Sequence, residues 1–318
     1  FFIEVIGRKY MSDVTKKVTK VSKSIPTREG AGVYLRRAFG FSNEGELDPF
    51  LLLDHFQSSK PKDYIAGFPW HPHRGIETIT YMIKGELEHQ DSLGNKGRIM
   101  PGSVQWMTAG SGIVHQEMPV NQGKEELWGF QLWANLPASH KMMDPRYREI
   151  NTGDIPVYEN EEGILIKIIC GEFKGMIGPA RDIVTDPIYY DVFVPSNTEY
   201  YINIPAENLT AAYVIDGEAY FDPDKDTYTH DMSPDGYLHF ERDPIIRARS
   251  LVRFGSGNSI FICTEERAVR FLLISGRPLN EPIAWYGPIV MNTREELKSA
   301  FKEYRDGTFI KGKNEETS

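Results

Sequence analysis

The sequence predicts an all-β protein built from small β-barrels or jelly rolls. Short runs rich in β-branched and aromatic residues alternate with corners that contain glycine or proline, a pattern typical of antiparallel β architectures. One run also recurs, since YMIKGE at 81–86 returns as YVIDGE at 213–218. This repeat predicts two copies of one β unit in tandem.

The first copy reads as a series of short strands separated by turns. Turns are marked by Gly85, by a polar loop at 91–97, by Pro101 and by the glycine-rich bend at 108–112. The strands expected between these turns are 76–83, 87–89, 103–107 and 113–117. Side chains on one face of such strands point into the barrel that the strands enclose.

Two pairs of candidate metal ligands lie at the beginning and at the end of this series of strands. His71 and His73 stand two residues apart, and so do His115 and Glu117. In an extended strand this spacing puts both side chains on one face, so two strands can direct four ligands at one point. Imidazole and carboxylate suit iron, nickel, copper or zinc. Four protein ligands leave one or two coordination positions open, as in a catalytic metal site.

The spacing favours a metal site over a chance grouping of histidines. Isolated histidines usually lie at surfaces or in hydrogen-bonded networks. The histidines without a partner at this spacing are His55, His89, His140, His230 and His239.

The second copy of the repeat lacks these ligands. Alignment of the two copies places Asn203 opposite His71 and Pro205 opposite His73. Proline at 205 also argues against a regular central strand there. The second unit is therefore expected to have a structural task, such as covering a wall of the first pocket or presenting a surface to a partner.

The motifs around the ligands resemble the pirin family of the cupin superfamily. The similarity spans roughly residues 20–306. The matching segments are LDPFLLLD at 47–54, HPHRGIET at 71–78, PG at 101–102, QWMTAG at 105–110, HQEMP at 115–119, a linker at 136–147, GRPLNEP at 276–282 and GPIVMNT at 287–293.

This resemblance implies two tandem cupin (jelly-roll) β-barrels with a short C-terminal helix. The expected domains are an N-terminal metal-binding cupin at 13–145 and a C-terminal cupin-like domain without ligands at 146–306, followed by a flexible tail at 307–318. It also implies one Fe(II) per chain, although affinity order and metal supply leave other divalent transition metals open. The implied ligands are His71, His73, His115 and Glu117.

A second glutamate, Glu77, is an alternative to Glu117 as the carboxylate ligand. Cupins at large take it from the position of Glu77, and alternation along one strand would place Glu77 on the same face as His71 and His73. Pirin-like proteins use the carboxylate two residues after the last histidine. Glu117 is therefore preferred, and Glu77 is then a carboxylate beside the ligands or elsewhere on the strand.

The resemblance implies a dioxygenase that cleaves flavonols such as quercetin with O2 and releases carbon monoxide. Glu117 is the candidate catalytic base for the flavonol hydroxyl. Phe68, Trp70 and Trp106 are candidates for an aromatic pocket wall, with core packing expected for at least one. The alternative is a non-enzymatic regulator that senses iron or its redox state and binds a metabolic enzyme or a transcription factor. A cupin isomerase is a weaker third hypothesis.

Composition limits the partners and the compartment. The net charge of -9 and the lack of a long basic tract predict no direct binding of nucleic acid. No stretch approaches the roughly 18 apolar residues of a membrane span, so no membrane association is expected. Cys170 and Cys263 lie in apolar runs and are expected to be buried thiols, which fits a reducing cytoplasm. Met11 is the expected natural start.

One helix is expected near the C-terminus. Thr293 and Glu296 have the spacing of a capping box, and apolar residues recur at helical spacing from Leu297 to Tyr304. The apolar stripe predicts a helix docked on its own barrel rather than on a partner.

Overall fold

The computed structural model describes residues 14–120, 126–225 and 244–311. Within these ranges the chain forms 25 β-strands and one α-helix, which confirms the predicted all-β class. His230, His239, Met11 and residues 312–318 lie outside the described residues.

The first twelve strands build most of the N-terminal half. They are β1 (Val18–Lys23), β2 (Ile25–Glu29), β3 (Val33–Phe39), β4 (Phe50–Ser58), β5 (Phe68–His73), β6 (Ile76–Lys84), β7 (Leu87–Asp91), β8 (Lys96–Ile99), β9 (Val104–Thr108), β10 (Ile113–Pro119), β11 (Leu127–Asn135) and β12 (Arg146–Ile150).

The remaining elements follow in the C-terminal half. They are β13 (Val157–Glu159), β14 (Leu165–Cys170), β15 (Glu172–Phe173), β16 (Met176–Ile177), β17 (Ile188–Val194), β18 (Glu199–Asn203), β19 (Leu209–Ala219), β20 (Ile246–Arg247), β21 (Ser250–Phe254), β22 (Ser259–Cys263), β23 (Val269–Gly276), β24 (Ala284–Tyr286), β25 (Ile289–Met291) and α1 (Arg294–Asp306).

Each half is a jelly-roll-like unit made of a large and a small sheet. The first unit has a seven-stranded sheet in the order β12-β9-β6-β11-β4-β3-β2 and a four-stranded sheet in the order β5-β10-β7-β8. The second has a sheet in the order β1-β21-β19-β23-β17-β14-β13, with β20 paired to β19, and the pair β18-β22.

The two units exchange strands. β1 precedes the first unit but pairs with β21 of the second, whereas β12 pairs with β9 of the first. The strand pairings therefore cross the expected domain boundary between residues 145 and 146. Such long-range pairing is not visible in local sequence patterns.

The two large sheets form a shared apolar core. Alternate residues of β6 face opposite ways: Ile79 and Tyr81 join an apolar cluster with Tyr213 and Leu272 of the second unit, while Thr80 points into the first unit. Burial of each large side chain contributes about 1.5–3 kcal/mol. This core fixes the position of one unit on the other.

The two copies of the internal repeat share a glycine with a positive φ. Gly85 follows β6 with φ 73°, and Gly217 lies in β19 with φ 74°. A Cβ at either position would collide with a backbone oxygen, so glycine is required at both for conformation and for space. In the second copy, Asn203 and Pro205 are exposed, and Pro205 lies outside the strands, as predicted.

The C-terminal helix confirms its predicted cap. The Thr293 hydroxyl accepts from the Glu296 backbone N–H, and the Glu296 carboxylate accepts from the Thr293 N–H. Leu297 and Phe301 pack in one apolar cluster with β25 and with Val114 of β10, so the helix docks on its own chain. Gly307 ends the helix in a left-handed conformation.

The segment after Gly307 is anchored at its start. Phe309 is buried, and the Arg74 guanidinium lies over its ring at 4.2 Å from the centroid. This contact corrects the expectation of a flexible tail for residues 307–311.

Two further expectations concern cysteines and membranes. Cys170 and Cys263 are free and buried, as predicted. Among the described residues, no helix has the length and apolar character needed to span a membrane.

A buried histidine joins the two units and makes stability depend on pH. Trp128 Nε1 donates to His55 Nε2 at 2.9 Å, and His55 Nδ1 lies 3.1 Å from the Tyr213 hydroxyl. Burial, aided by the charges of Arg249 and Arg36, lowers the pKa of His55 to about 3. As the pH falls below about 6.5, His55 is therefore protonated in the unfolded chain while it stays neutral in the folded protein.

We predict that the wild-type protein loses stability between pH 6 and pH 4 more steeply than His55→Gln. The expected difference in slope is about 1.4 kcal/mol per pH unit, because one extra proton binds the unfolded state. Urea unfolding across this range measures it, with His140→Gln, a change outside this network, as the control. Equal slopes for wild type and His55→Gln would contradict the assignment.

Candidate metal centre

Strands β5 and β10 bring three histidines together. The two strands are antiparallel, with His71 directly opposite His115 and His73 opposite Ile113. One ring nitrogen from each of His71, His73 and His115 lies within 4.8 Å of the others. The i, i+2 spacing on β5 and the register with β10 thus produce the predicted cluster.

Hydrogen bonds orient two of the imidazoles. His71 Nδ1 donates to the Pro69 carbonyl at 2.8 Å, and His73 Nδ1 donates to the Pro288 carbonyl at 3.1 Å. A carbonyl can only accept, so each Nδ1 carries the proton and each Nε2 keeps its lone pair for a metal.

The unpaired nitrogens fit a cation. Among the described residues, His73 Nε2 and both ring nitrogens of His115 are buried without a hydrogen-bond partner. Buried polar atoms of this kind are costly unless something binds them. A transition metal suits three imidazole nitrogens whose lone pairs converge.

The electrostatics keep the imidazoles neutral. Burial lowers the pKa of His71 and lowers those of His73 and His115 well below the usual value, and the neighbouring imidazoles act in the same direction on the last two. Neutral imidazole is the form that binds metal, so these side chains need not release a proton first.

Glu117 lies on the same strand face as His115, two residues on. It is buried, and Thr80 Oγ1 and Gln131 Nε2 donate to its two oxygens at 2.8 and 3.0 Å. Its charge also acts on His71. Its oxygens are not part of the three-histidine cluster, so Glu117 as a ligand stays a prediction.

Glu77 points elsewhere. The expectation that it continues the face of His71 and His73 was wrong, because Gly75, with φ 76°, separates β5 from β6 and the two strands belong to different sheets. Thr108 Oγ1 donates to the Glu77 carboxylate at 2.6 Å. Glu77 and Ile79 are two residues apart on β6 and therefore lie on the same face, which points towards the second unit.

His71 and His73 open onto a cavity of about 530 Å³. Phe68 and Trp70 line it, as predicted, whereas Trp106 is fully buried in the core between the units and does not. Trp133 and Trp285 form further walls that were not predicted. No local sequence motif marks either tryptophan, because both reach the cavity through tertiary packing.

The C-terminal segment completes the site. Besides Pro288, which holds His73, it contributes Glu303, whose carboxylate lies 2.8 Å from Arg74 Nη1, and the Phe309 carbonyl, which accepts from Arg74 Nη2 at 2.8 Å. Arg74 directly follows His73, so these contacts fix the turn after β5, at the end of which this histidine lies.

A buried lysine reinforces the same loop. Lys141 Nζ donates to the carbonyls of Gly75 and Val290 and to Asn135 Oδ1, at 2.9, 3.1 and 2.7 Å. Burial lowers its pKa to about 8. Lys141 thereby connects the turn at Gly75 to β25 and to the end of β11.

Comparison with known proteins assigns the family. The family model for Pirin matches residues 32–134, and that for the Pirin C-terminal cupin domain matches 189–310. A pirin-like protein of Caulobacter vibrioides is 40% identical over 295 residues, which cover 92% of this chain and 99% of the relative. The chain belongs to the pirin family.

Solved structures share this fold. A crystal structure of a quercetin 2,3-dioxygenase from Acinetobacter baumannii is 29% identical, with a TM-score of 0.81 over 93% of this chain and 99% of that chain. A bacterial pirin from Escherichia coli, solved in complex with nickel(II), shares the fold at 20% identity, with a TM-score of 0.58 over 81% of this chain and 98% of that chain.

We predict about one transition metal per chain, bound by the first unit of this pirin. His115→Ala should lose most of the metal, because it removes one of three converging ligands. Elemental analysis after purification without chelator measures this. His140→Ala is the control, and replacement of His230 and His239 should also leave the content unchanged. Two metals per chain, or full content in His115→Ala, would refute the prediction.

Proposed function

We propose that the chain is an iron-dependent dioxygenase that cleaves flavonols such as quercetin with O2 and releases carbon monoxide. The observation that carries this proposal is the cluster of three neutral imidazoles, two of which line an aromatic-walled cavity of about 530 Å³. The size suits a planar three-ring molecule. The likeness to a solved quercetin 2,3-dioxygenase supports it.

The residues that would hold Fe(II) are His71, His73, His115 and Glu117. When bound, the metal would supply Lewis acidity and redox chemistry for the reaction between the flavonol and O2. The hydrogen bonds from His71 to Pro69 and from His73 to Pro288 hold these two rings in a fixed orientation, which limits reorganisation during the reaction.

Glu117 would accept the proton of the flavonol 3-hydroxyl. Its carboxylate is positioned by Thr80 and Gln131, which occupy one hydrogen-bonding site on each oxygen. Each oxygen keeps a second lone pair, so one oxygen can bind the metal while the other accepts from a substrate hydroxyl. Removal of this proton would make the flavonol more electron-rich and more reactive towards O2.

The tryptophans would hold the flavonol rings. Trp133 lies edge-on to His73 with ring centroids 5.0 Å apart, and Trp285 lies 6.2 Å from Trp133. Trp70 is about half exposed at the same cavity. Aromatic faces bind a planar ligand, and the ligand displaces water from the histidines when it enters the cavity.

Aerobic turnover tests the proposal directly. Iron-loaded protein should consume quercetin and O2 in equal amounts and release an equal amount of carbon monoxide, whereas metal-free protein should not. Absorbance, an oxygen electrode and carbon monoxide detection measure the three quantities. If iron-loaded protein binds flavonols but yields no carbon monoxide, the dioxygenase proposal is wrong and the redox-sensing regulator becomes the better hypothesis.

The two glutamates provide a matched pair of variants. Glu117→Gln should lower turnover per bound iron on the order of a hundredfold, because a proton acceptor is lost while the volume is kept. Glu77→Gln should have a much smaller effect, since Glu77 bonds to Thr108 on another face. The reverse order of effects would contradict the role given to Glu117.

A further inference from the structure

A row of polar residues crosses the inner face of the seven-stranded sheet. Arg37 on β3 is directly opposite Asp54 on β4, Asp54 is opposite Gln131 on β11, and Gln131 is opposite Thr80 on β6. Gln131 and Thr80 end the row at Glu117. The row therefore runs from the candidate base to Arg37, strand by strand across the seven-stranded sheet from β6 to β3.

Arg37 makes a two-pronged ion pair at the far end of this row. Its Nε and Nη2 donate to the two oxygens of Asp54 at 2.8 and 2.7 Å, and Nη2 also lies 2.9 Å from Glu29. The Asp54 side chain is 6% exposed, Arg37 25% and Glu29 42%. All three residues line the same cavity as His71 and His73.

The ion pair has unused hydrogen-bonding capacity. Among the described residues, Arg37 Nη1 has no hydrogen-bond partner, so its N–H groups are available to a ligand. The Glu29 carboxylate has free lone pairs and is accessible. Donors and acceptors thus lie side by side in a cavity whose walls include two phenylalanines and three tryptophans.

Packing alone does not explain these charges. A buried ion pair seldom stabilises a protein more than apolar residues of the same volume would, because both charges lose hydration. The burial of Asp54 raises its pKa to about 6 in spite of Arg37, which shows how strongly this carboxylate is desolvated. Charged groups in a ligand cavity are candidates for recognition.

We propose that Arg37, Asp54 and Glu29 form a polar subsite that binds hydroxyl groups of the substrate and selects polyhydroxylated aromatic molecules. This rests on the proposed function: the histidines bind one end of the flavonol, and the subsite binds hydroxyls carried by its outer rings. Arg37 and Glu29 contact the ligand, and Asp54 positions the guanidinium.

The test compares two flavonols in the iron-loaded protein without oxygen. Quercetin carries several outer hydroxyls, whereas 3-hydroxyflavone carries only the metal-binding one. The Kd of each is measured by titration for wild type, Arg37→Lys and Glu29→Gln. Arg270→Lys is the matched control, because Arg270 makes a similar two-pronged pair with Asp191 at 2.9 and 2.6 Å, with side chains 27% and 3% exposed, outside this cavity.

Wild type and Arg270→Lys should bind quercetin at least about tenfold more tightly than 3-hydroxyflavone, the ratio that roughly one charge-assisted hydrogen bond produces. Arg37→Lys and Glu29→Gln should reduce this ratio to about threefold or less, with little change for 3-hydroxyflavone. The double variant Arg37→Met/Asp54→Leu, which leaves no buried charge unpaired, should abolish the preference.

The outcomes separate the two proposals. If the preference for quercetin is unchanged in Arg37→Lys and in the double variant, the subsite is refuted even when carbon monoxide is released. If both ligands weaken equally, the residues act only through structure, and the subsite is again refuted. If the preference depends on Arg37 but no carbon monoxide forms in air, the subsite stands and the dioxygenase proposal fails. No binding of either flavonol overturns both.

Discussion

The convergence of three imidazoles, of which those of His73 and His115 are fully buried, is the constraint on which the site depends. Each unpaired buried nitrogen costs about 1–3 kcal/mol, so a cluster of them is stable only if the surrounding structure holds it in place or a cation binds it. The pairing of β5 with β10 sets His115 opposite His71. The neutral state that burial imposes is also the state that a metal requires.

The two units divide the work. The first carries the histidines and the cavity, and the interior of the second is an apolar cluster without a ligand set among the described residues. The second unit nevertheless acts on the site, because the segment after β23 supplies the carbonyl that orients His73 and a tryptophan wall. The second unit, which lacks the ligands among the described residues, therefore serves as a scaffold that completes the first site.

Much of this architecture could be predicted from sequence because its signals are local. The alternation of β6, the capping box at Thr293 and the spacing of His71 and His73 each depend on neighbouring residues. The orientation of Glu77 could not be predicted, because one positive φ at Gly75 moves the chain into another sheet. The exchange of β1 and β12, the anchoring of Phe309 and the approach of Trp285 depend on residues far apart in sequence.

We propose that a transition metal binds at the histidine cluster with Glu117 beside it. The most direct measurement is a crystal structure of the iron-loaded protein with anomalous diffraction at the iron edge. We expect one anomalous peak within about 2.0–2.3 Å of nitrogens from His71, His73 and His115 and of an oxygen from Glu117. A peak coordinated by Glu77, a second peak in the C-terminal unit, or no peak among these histidines would contradict it.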